Sequence, residues 1–331
     1  LNEANLSVVI YDKAKENPTT ECVIECAELA RHEGIDFIVG LGGGSSIDTA
    51  KGCNFLLTNG GEMKDYWGVG KASKPMLPLI AIPTTAGTGS ECQSFALISD
   101  AVTHAKMACG DPKAMAKVAI LDPELTLSQP PRVTACTGID AVAHAVESAV
   151  TRKRNETSQQ YSRVAFGLLS QSLPTVLIKP NDVEARGLML LGAAFAGTAI
   201  EYSMLGAAHS AANPLTAHFD VIHGQAVGMM LPHVVRFNGE DETIARVYAE
   251  LVTGTAAASI NGVPPHESLA SLLEDFMDAA GMPRDLTDCG VDATKVDLLS
   301  EEAAAQWTAS FNPRDITASD FKDLYSRAFG S

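Results

Sequence analysis

Asp140 and His144 stand four residues apart in TGIDAVAHAVES, residues 137–148, a stretch rich in strong helix formers. Helical side chains at this spacing leave one face a single turn apart, so a carboxylate and an imidazole could bind one metal ion. An isolated pair of this kind is more often an ordinary surface pair. Further along, GAAHSAANPLTAHFDVIHG, residues 206–224, supplies His209 and His223. Imidazole with carboxylate predicts a site for iron, zinc, nickel or copper, and not for magnesium or calcium.

Two loops of small residues in the first part of the chain could bind a nucleotide. The stretch GLGGGSSIDTAK, residues 40–51, follows a predicted strand and opens into a predicted helix, where bare backbone N–H groups can bind a pyrophosphate. The glycine spacing is not the GxGxxG fingerprint, and a tight strand-to-helix turn is the alternative. A second loop, PTTAGTGSE at 83–91, is expected at the carboxyl edge of the same sheet. Two such loops favour a nucleotide crevice over two unrelated turns.

The elements that must position these residues fall into two groups. Short β-branched runs alternate with helical ones in the first part of the chain, which predicts a parallel α/β domain over 1–131. Its predicted strands are 7–11, 36–40 and 77–82, and its predicted helices are 19–33 and 46–57. Beyond Pro130 and Pro131 the strand patterns nearly vanish, so we predict a helical domain over 132–331. Its predicted helices are 133–148, 158–173, 183–202, 242–258, 266–280 and 298–306.

Composition excludes several classes of protein. The 331 residues are 46% hydrophobic, enough to bury a core in each of two domains. A formal charge of -16 argues against a nucleic-acid partner, which requires clustered basic residues. The longest apolar run, 188–200, is too short to span a bilayer and predicts a buried helix. Seven scattered cysteines without CxxC pairs fit a reduced, cytoplasmic protein.

The spaced motifs resemble those of the iron-containing, group III alcohol dehydrogenases. The matching stretches run in the family's order from residue 17 to the end of the chain. They are GGGSSIDTAK at 42–51, PTTAGTGSE at 83–91, LDPELT at 121–126, TGIDAVAHAVES at 137–148, and His209 with HGQAVGMMLPHV at 223–234. The resemblance implies an N-terminal α/β dinucleotide-binding domain and an all-α C-terminal metal-binding domain, with the active site in the cleft between them. This is the dehydroquinate synthase-like fold.

The resemblance also implies a set of site residues. The metal ligands are Asp140, His144, His209 and His223, and the ion is Fe2+, with Zn2+ as the competitor. Catalytic candidates are His209, His223 and Asn213, although Asn213 stands where many members carry a histidine and cannot titrate as imidazole does. NAD or NADP binds to the following residues: Asn17 near the adenosine end, Gly43, Gly44 and Ser45 at the diphosphate, Thr84, Thr85, Thr88 and Ser90 along the nucleotide, Lys106 at a ribose hydroxyl, and Leu125 over the cofactor.

Two further expectations concern the start of the chain and the extra histidine. Family members usually begin with another βα unit, whose first strand ends in an acidic residue that helps to choose NAD over NADP, and this chain starts after it. We therefore expect unprotected sheet edges in the α/β domain and a homodimer or larger assembly. His218 has no counterpart in many members, and we interpret it as an ordinary solvent-facing or hydrogen-bonded histidine.

The expected activity is hydride transfer between a nicotinamide cofactor and a small primary alcohol, diol or aldehyde. A bound divalent metal would act as a Lewis acid on the alcohol. Four protein ligands would close a tetrahedral zinc site, whereas iron(II) accommodates five or six ligands, so iron fits a catalytic site better. Two alternatives stay open: a lyase of the dehydroquinate synthase type, which needs a basic lining for a phosphorylated acid, and a metal- or nucleotide-binding relative without turnover.

Overall fold

The computed structural model describes residues 2–102, 105–255 and 262–330 of the chain. These residues form two compact units, unit 1 with Leu1–Thr85 and Ser90–Leu125, and unit 2 with Ala86–Gly89 and Thr126–Ser331. The sequence predicted a single boundary after residue 131. The short segment joins unit 2 because its glycines pack tightly there: a Cβ on Gly89 would lie 2.6 Å from Gly197 Cα.

The described residues of unit 1 form two three-stranded sheets. The strands are β1 (Ile38–Gly42), β2 (Gly68–Val69), β3 (Leu79–Pro83), β4 (Phe95–Ser99), β5 (Lys106–Gly110) and β6 (Val118–Ala119). The first sheet has the order β1-β3-β6 and is parallel throughout. The second has the order β2-β5-β4, with β2 parallel and β4 antiparallel to β5. The parallel α/β prediction is confirmed for the first sheet, and the antiparallel pair was not predicted.

Helix α2 (Gly44–Asn59) packs against β1, β3 and β4, and helix α1 (Thr20–Glu33) packs against α2. Thr19 begins α1, where its side chain accepts a hydrogen bond from the Cys22 amide, and Gly34 ends the helix in the left-handed conformation. Both helices confirm the sequence prediction. The predicted strand 7–11 is wrong: this segment makes no strand pairing with the described residues, and Ile10 is 76% exposed. An apolar β-branched run needs a neighbouring strand before it can form a ladder.

Unit 2 is helical, as predicted. Its helices are α3 (Pro131–Val150), α4 (Glu156–Ile178), α5 (Val183–Tyr202), α6 (Ala207–Phe219), α7 (His223–Gly239), α8 (Glu242–Val252), α9 (Pro265–Ala279), α10 (Val296–Ala305) and α11 (Ala318–Ala328). Helix α3 is central: it packs against α4, α5, α7 and α8, and from Thr134 to Val150 every residue except Thr137 is buried. A helix that is buried on nearly all sides belongs to the core of its unit. The end of the predicted helix 242–258 lies outside the described residues.

Helix α5 is longer than the apolar run from which it was predicted. The apolar run 188–200 was predicted to be too short to cross a membrane, but the helix that contains it extends over 20 residues and passes by length and composition. The prediction of a buried helix holds, because 61% of its most apolar window is buried inside the chain, against α3 and α4. A core helix passes the same length and composition test, so the burial decides between the two interpretations.

Candidate functional site

One face of α3 carries polar side chains, although most of the helix is apolar. Asp140 and His144 are both buried, with side chains 8% and 6% exposed, and His144 Nε2 lies 3.4 Å from Asp140 Oδ1. A charged side chain is placed inside a core only when other groups compensate it. The one-turn spacing predicted from the sequence is therefore present, and the burial of both side chains excludes an ordinary surface pair.

Two further helices begin at this face of α3. His209 occupies the third residue of α6, and His223 is the first residue of α7. Neither helix was predicted, because each contains an internal proline, Pro214 in α6 and Pro232 in α7, and proline normally ends a helix. Each histidine is thus fixed by the first turn of a helix that packs within unit 2.

Three imidazoles converge on one carboxylate oxygen. His209 Nε2 lies 3.3 Å and His223 Nε2 3.9 Å from Asp140 Oδ1. The donor atoms of Asp140, His209 and His223 all lie within 4.8 Å of one another, and His144 lies outside this mutually close group. Donors around one tetrahedral ion at about 2.1 Å stand roughly 3.4 Å apart. The spacing of these side chains therefore fits a shared ion.

The hydrogen bonding of the cluster agrees with this spacing. Among the described residues, neither Asp140 Oδ1 nor His209 Nε2 has a hydrogen-bond partner of good geometry, although both atoms are fully buried. Buried polar atoms without partners cost free energy, so they mark places where a ligand is expected. His223 is 35% exposed on its side chain, which leaves one side of the cluster accessible to solvent. The donors present fit a divalent iron or zinc ion.

The local electrostatics also favour a cation. Burial acts to raise the pKa of Asp140, but the charges of His144, His223 and His209 outweigh it and hold that pKa below its ordinary value. Burial acts to lower the pKa of His209, yet the carboxylates of Glu147 and Asp140 raise it to about 9. For His144 burial prevails and lowers the pKa. The carboxylates that raise the pKa of His209 would equally favour a bound cation.

Glu147 is a residue of this site that the sequence reasoning missed. It lies seven residues after Asp140, two turns along the same face of α3, and its Oε2 lies 2.6 Å from His209 Nδ1. Metal-binding histidines commonly donate their second ring nitrogen to a carboxylate. The signal was available, because a third polar residue at helical spacing in an apolar helix marks a third buried contact.

Asn213 and His218 lie further along α6. The Asn213 amide donates to Gln306 Oε1 at 3.1 Å, and its catalytic role stays a prediction. His218 Nε2 lies 2.7 Å from Glu302 Oε2, with its side chain 38% exposed. His218 is therefore a hydrogen-bonded surface histidine, as expected.

The glycine-rich loop follows β1, and the threonine-rich loop follows β3. Both loops start at the same edge of the parallel sheet in unit 1. Strands β1 and β3 end side by side, with Gly42 paired to Pro83, and the Thr84 amide donates to Gly42 O at 2.9 Å. Gly43 begins α2 without a side-chain cap, and a Cβ on it would lie 3.2 Å from the Thr85 side chain. Uncapped amides at a helix start, next to small side chains, can bind a phosphate group.

The other predicted cofactor residues do not form a single group. The Asn17 amide donates to Ser45 Oγ at 3.2 Å, and Lys106 Nζ donates to Asn17 Oδ1 at 3.4 Å, so these three residues lie together. Ser90 is buried, and its hydroxyl donates to Asp48 Oδ1 at 2.5 Å and accepts from Lys51 Nζ at 2.9 Å. Leu125 is half-buried at the end of unit 1, and Thr88 belongs to the segment of unit 2.

Replacing Gly224 with Ala will displace His223 and weaken metal binding. A Cβ on Gly224 would lie 2.1 Å from the carbonyl oxygen of Cys136 on α3, so α7 must shift away from Asp140. We expect a loss of stability of about 1–3 kcal/mol or more, as in other overpacked cores. Metal affinity, measured by competition with a chromophoric chelator, should fall at least about tenfold.

Gly167 on α4 provides the control for this substitution. A Cβ on Gly167 has no heavy atom within 4 Å, so Gly167→Ala adds a methyl group to an open helix surface. This variant should keep the parent's metal affinity and gain slightly in helix stability. An equal metal affinity in Gly224→Ala and in the parent would contradict the packing argument.

Comparison with known proteins assigns both units to one family. Residues 1–123 match the family model "Iron-containing alcohol dehydrogenase", and residues 134–329 match "Fe-containing alcohol dehydrogenase family, C-terminal". The chain is 35% identical to the NAD-dependent methanol dehydrogenase of Bacillus methanolicus, over 99% of this chain and 86% of that protein. It is 30% identical to the 1,3-propanediol dehydrogenase of Citrobacter freundii, over 99% of this chain and 85% of that protein.

Solved structures support the same assignment. A 1,3-propanediol oxidoreductase superposes with a TM-score of 0.94 at 29% identity, covering 99% of this chain and 86% of that one. An iron-containing alcohol dehydrogenase from Thermococcus thioreducens superposes with a TM-score of 0.88 at 27% identity, covering 100% and 87% of the two chains. The resemblance of the spaced motifs is thereby confirmed, and so is the fold that it implied. The chain belongs to the iron-containing alcohol dehydrogenase family, and it is a metal-dependent alcohol oxidoreductase that uses a nicotinamide cofactor.

Proposed function

We propose that the chain binds Fe2+ through Asp140, His144, His209 and His223 and transfers hydride between a small primary alcohol and NAD. The observation that carries the metal site is the convergence of three Nε2 atoms on Asp140 Oδ1 within a buried cluster. Iron is preferred to zinc because four protein ligands would close a tetrahedral zinc site, whereas iron(II) accepts further ligands. Relatives named for methanol and 1,3-propanediol support a small substrate, and the methanol enzyme's name supports NAD.

The ion, when bound, supplies Lewis acidity that favours loss of the proton from an alcohol. The chain's own residues perform the remaining tasks. Asp140 contributes the negative charge that compensates the ion, and His209 and His223 hold it from the first turns of two helices. His223, the most exposed of the four ligands in this proposal, marks the side from which a substrate approaches. The apolar surroundings of α3 strengthen each of these charge interactions.

The cofactor is proposed to bind unit 1 at the edge where β1 and β3 end. Gly43, Gly44 and Ser45 present the uncapped start of α2 to the diphosphate, and Thr84 and Thr85 lie beside them. Lys106 and Asn17, already joined by a hydrogen bond, are proposed to face a ribose hydroxyl and the adenosine end. Thr88, Ser90 and Leu125 complete the proposed set. Holding the nicotinamide in place converts an encounter into a positioned transfer.

The assembly and location of the protein are also proposals. We propose two functional domains over 1–131 and 132–331 and a homodimer or larger homo-oligomer. Strand β1 is an edge strand of its sheet and exposes Leu41 by 57%, which supports association. Sedimentation over micromolar concentrations checks this, and a monomer throughout would contradict it. The seven free cysteines support a reducing, cytoplasmic location.

Replacing His223 with Ala tests the proposed metal site. The variant should lose bound metal and turnover together, because one of four ligands is removed and Asp140 loses part of its compensating charge. NADH binding, followed by fluorescence titration, should stay at the parent's affinity because the proposed cofactor residues lie outside α3, α6 and α7. Elemental analysis of the purified proteins gives the metal content.

His218→Ala is the matched control, since it removes an imidazole that contacts Glu302 at the surface. The control should keep metal content and turnover. Full metal content and full turnover in His223→Ala would show that His223 is not a ligand.

A further inference from the structure

Glu147 makes three hydrogen bonds at the point where α6 begins. Its Oε2 accepts from the Gly206 amide at 3.1 Å and lies 2.6 Å from His209 Nδ1, and its Oε1 accepts from the Ala208 amide at 2.7 Å. The side chain is 4% exposed. A buried carboxylate in such a place is held by all three donors at once, so its orientation is fixed.

We propose that Glu147 is a positioning residue that fixes His209 in the tautomer with the proton on Nδ1, leaving the Nε2 lone pair directed at the metal site. This inference rests on the proposed function and extends it to a group that does not touch the ion. A neutral imidazole has one donor and one acceptor nitrogen, and the partner of one nitrogen decides the state of the other. Because Glu147 can only accept, Nδ1 must donate.

Glu147 also offsets a positive charge close to the proposed metal site. The start of a helix carries a partial positive charge, which disfavours a nearby cation. His209 and His223 both lie in the first turn of a helix, so the ion would sit close to two such ends. The carboxylate of Glu147 binds two amides at the start of α6 and opposes this charge. Glu147 therefore favours binding of the ion electrostatically without contacting it.

The packing behind Glu147 holds the side chain in this position. A Cβ on Gly206 would lie 3.1 Å from Glu147 Oε1, so the backbone approaches the carboxylate closely. Asn238 and Asn312 donate to each other's side-chain oxygens at 3.0 and 2.8 Å on the same wall. The space enclosed by Glu147, Tyr248 and these amides leaves no room for a water molecule. The Glu147 carboxylate is thus held closely among these neighbours.

Glu147→Gln tests the inference with Zn2+ and Co2+ as probe metals. The amide keeps the size of the side chain, but one of its two ends must now donate. If the nitrogen faces His209, Nδ1 becomes an acceptor and Nε2 carries the proton; if it is reversed, it opposes the Ala208 amide. We expect metal affinity to fall by about 10–100-fold. NMR of the Zn2+-loaded, 15N-labelled protein should show a hydrogen-bonded Nδ1–H for His209 in the parent.

Ser210→Ala is the matched control for a merely structural role. Ser210 Oγ donates to the Gly206 carbonyl at 3.0 Å and pairs with Thr308 Oγ1 at 2.7 Å, so its loss weakens the same start of α6 without touching His209. It should lower the melting temperature and keep the parent's metal affinity. Equal losses of affinity in Ser210→Ala and Glu147→Gln would show that Glu147 only supports the helix.

The outcomes separate this inference from the proposed function. A parent protein that binds neither Zn2+ nor Co2+ would refute the metal site itself. A parent that binds them, with Glu147→Gln binding within about twofold of it, would refute the role of Glu147 alone. Should Glu147→Gln fail to fold, Glu147→Asp provides the second test: it keeps the charge but is one methylene shorter, and we expect intermediate affinity. An Nδ1 without a proton in the Zn2+-loaded parent would overturn the inference directly.

Discussion

Asp140→Asn will remove metal binding and turnover almost completely. The carboxylate is the one negatively charged member of the proposed ligand set, and all three imidazoles converge on its Oδ1. An amide oxygen keeps the shape but not the charge, so the buried cation would lose its compensation. We expect a loss of metal affinity on the order of 100-fold or more. Loss of several kcal/mol of Lewis-acid stabilisation corresponds to roughly a thousandfold in turnover.

Elemental analysis and chelator competition measure the first effect, and NADH absorbance with a small primary alcohol measures the second. Asp278→Asn is the control, because this carboxylate lies at the surface with its side chain 58% exposed. It should retain both metal and activity. An Asp140→Asn protein with the parent's metal content would exclude Asp140 as a ligand.

Gly44→Val will abolish dinucleotide binding and leave metal content unchanged. Gly44 is the first residue of α2, directly after the uncapped Gly43. A branched Cβ there would occupy the space in which the backbone must approach a pyrophosphate. Titration of the protein with NADH and with NADPH, followed by fluorescence, should show no saturable binding, and the same experiment on the parent identifies the preferred cofactor.

Gly167→Val controls for the general effect of valine at a glycine position, since Gly167 lies in open space on α4 in unit 2. It should bind the cofactor as the parent does. Equal cofactor affinities in Gly44→Val and in the parent would mean that the glycine run serves only as a tight turn, which was the alternative interpretation of the sequence.

The sequence predicted those parts of the site that depend on local spacing. Asp140 and His144 were placed correctly on one helical face because their side chains lie one turn apart on an uninterrupted helix, α3. The loops at 40–51 and 83–91 were placed at one sheet edge because parallel strands end on the same side. His209 and His223 were singled out from residues 206–224, and the family resemblance then assigned them to the same ion as α3, a link that no local pattern provides.

The parts that failed depend on contacts between distant residues. Helices α6 and α7 were not predicted, since they contain Pro214 and Pro232. A proline inside a helix costs free energy, and the tertiary packing that offsets this cost is not visible in local sequence patterns. The strand predicted at 7–11 had the right composition but makes no strand pairing with the described residues. The hydroxyl of Ser90, which the resemblance assigned to the nucleotide, binds the buried Asp48 and Lys51, contacts that no local pattern indicates, and its role at the cofactor stays a prediction.

The central position of α3 links the supply of metal to the amount of folded protein. This helix contributes Asp140 and His144 to the proposed ion and almost all its remaining residues to the core of unit 2. An ion that binds the folded state alone stabilises it by about 4 kcal/mol at a thousand times its dissociation constant. That quantity is comparable with much of a typical domain's stability. Starvation for the metal would therefore reduce the abundance of this enzyme as well as its activity, and replenishment alone would not restore chains that had already been degraded.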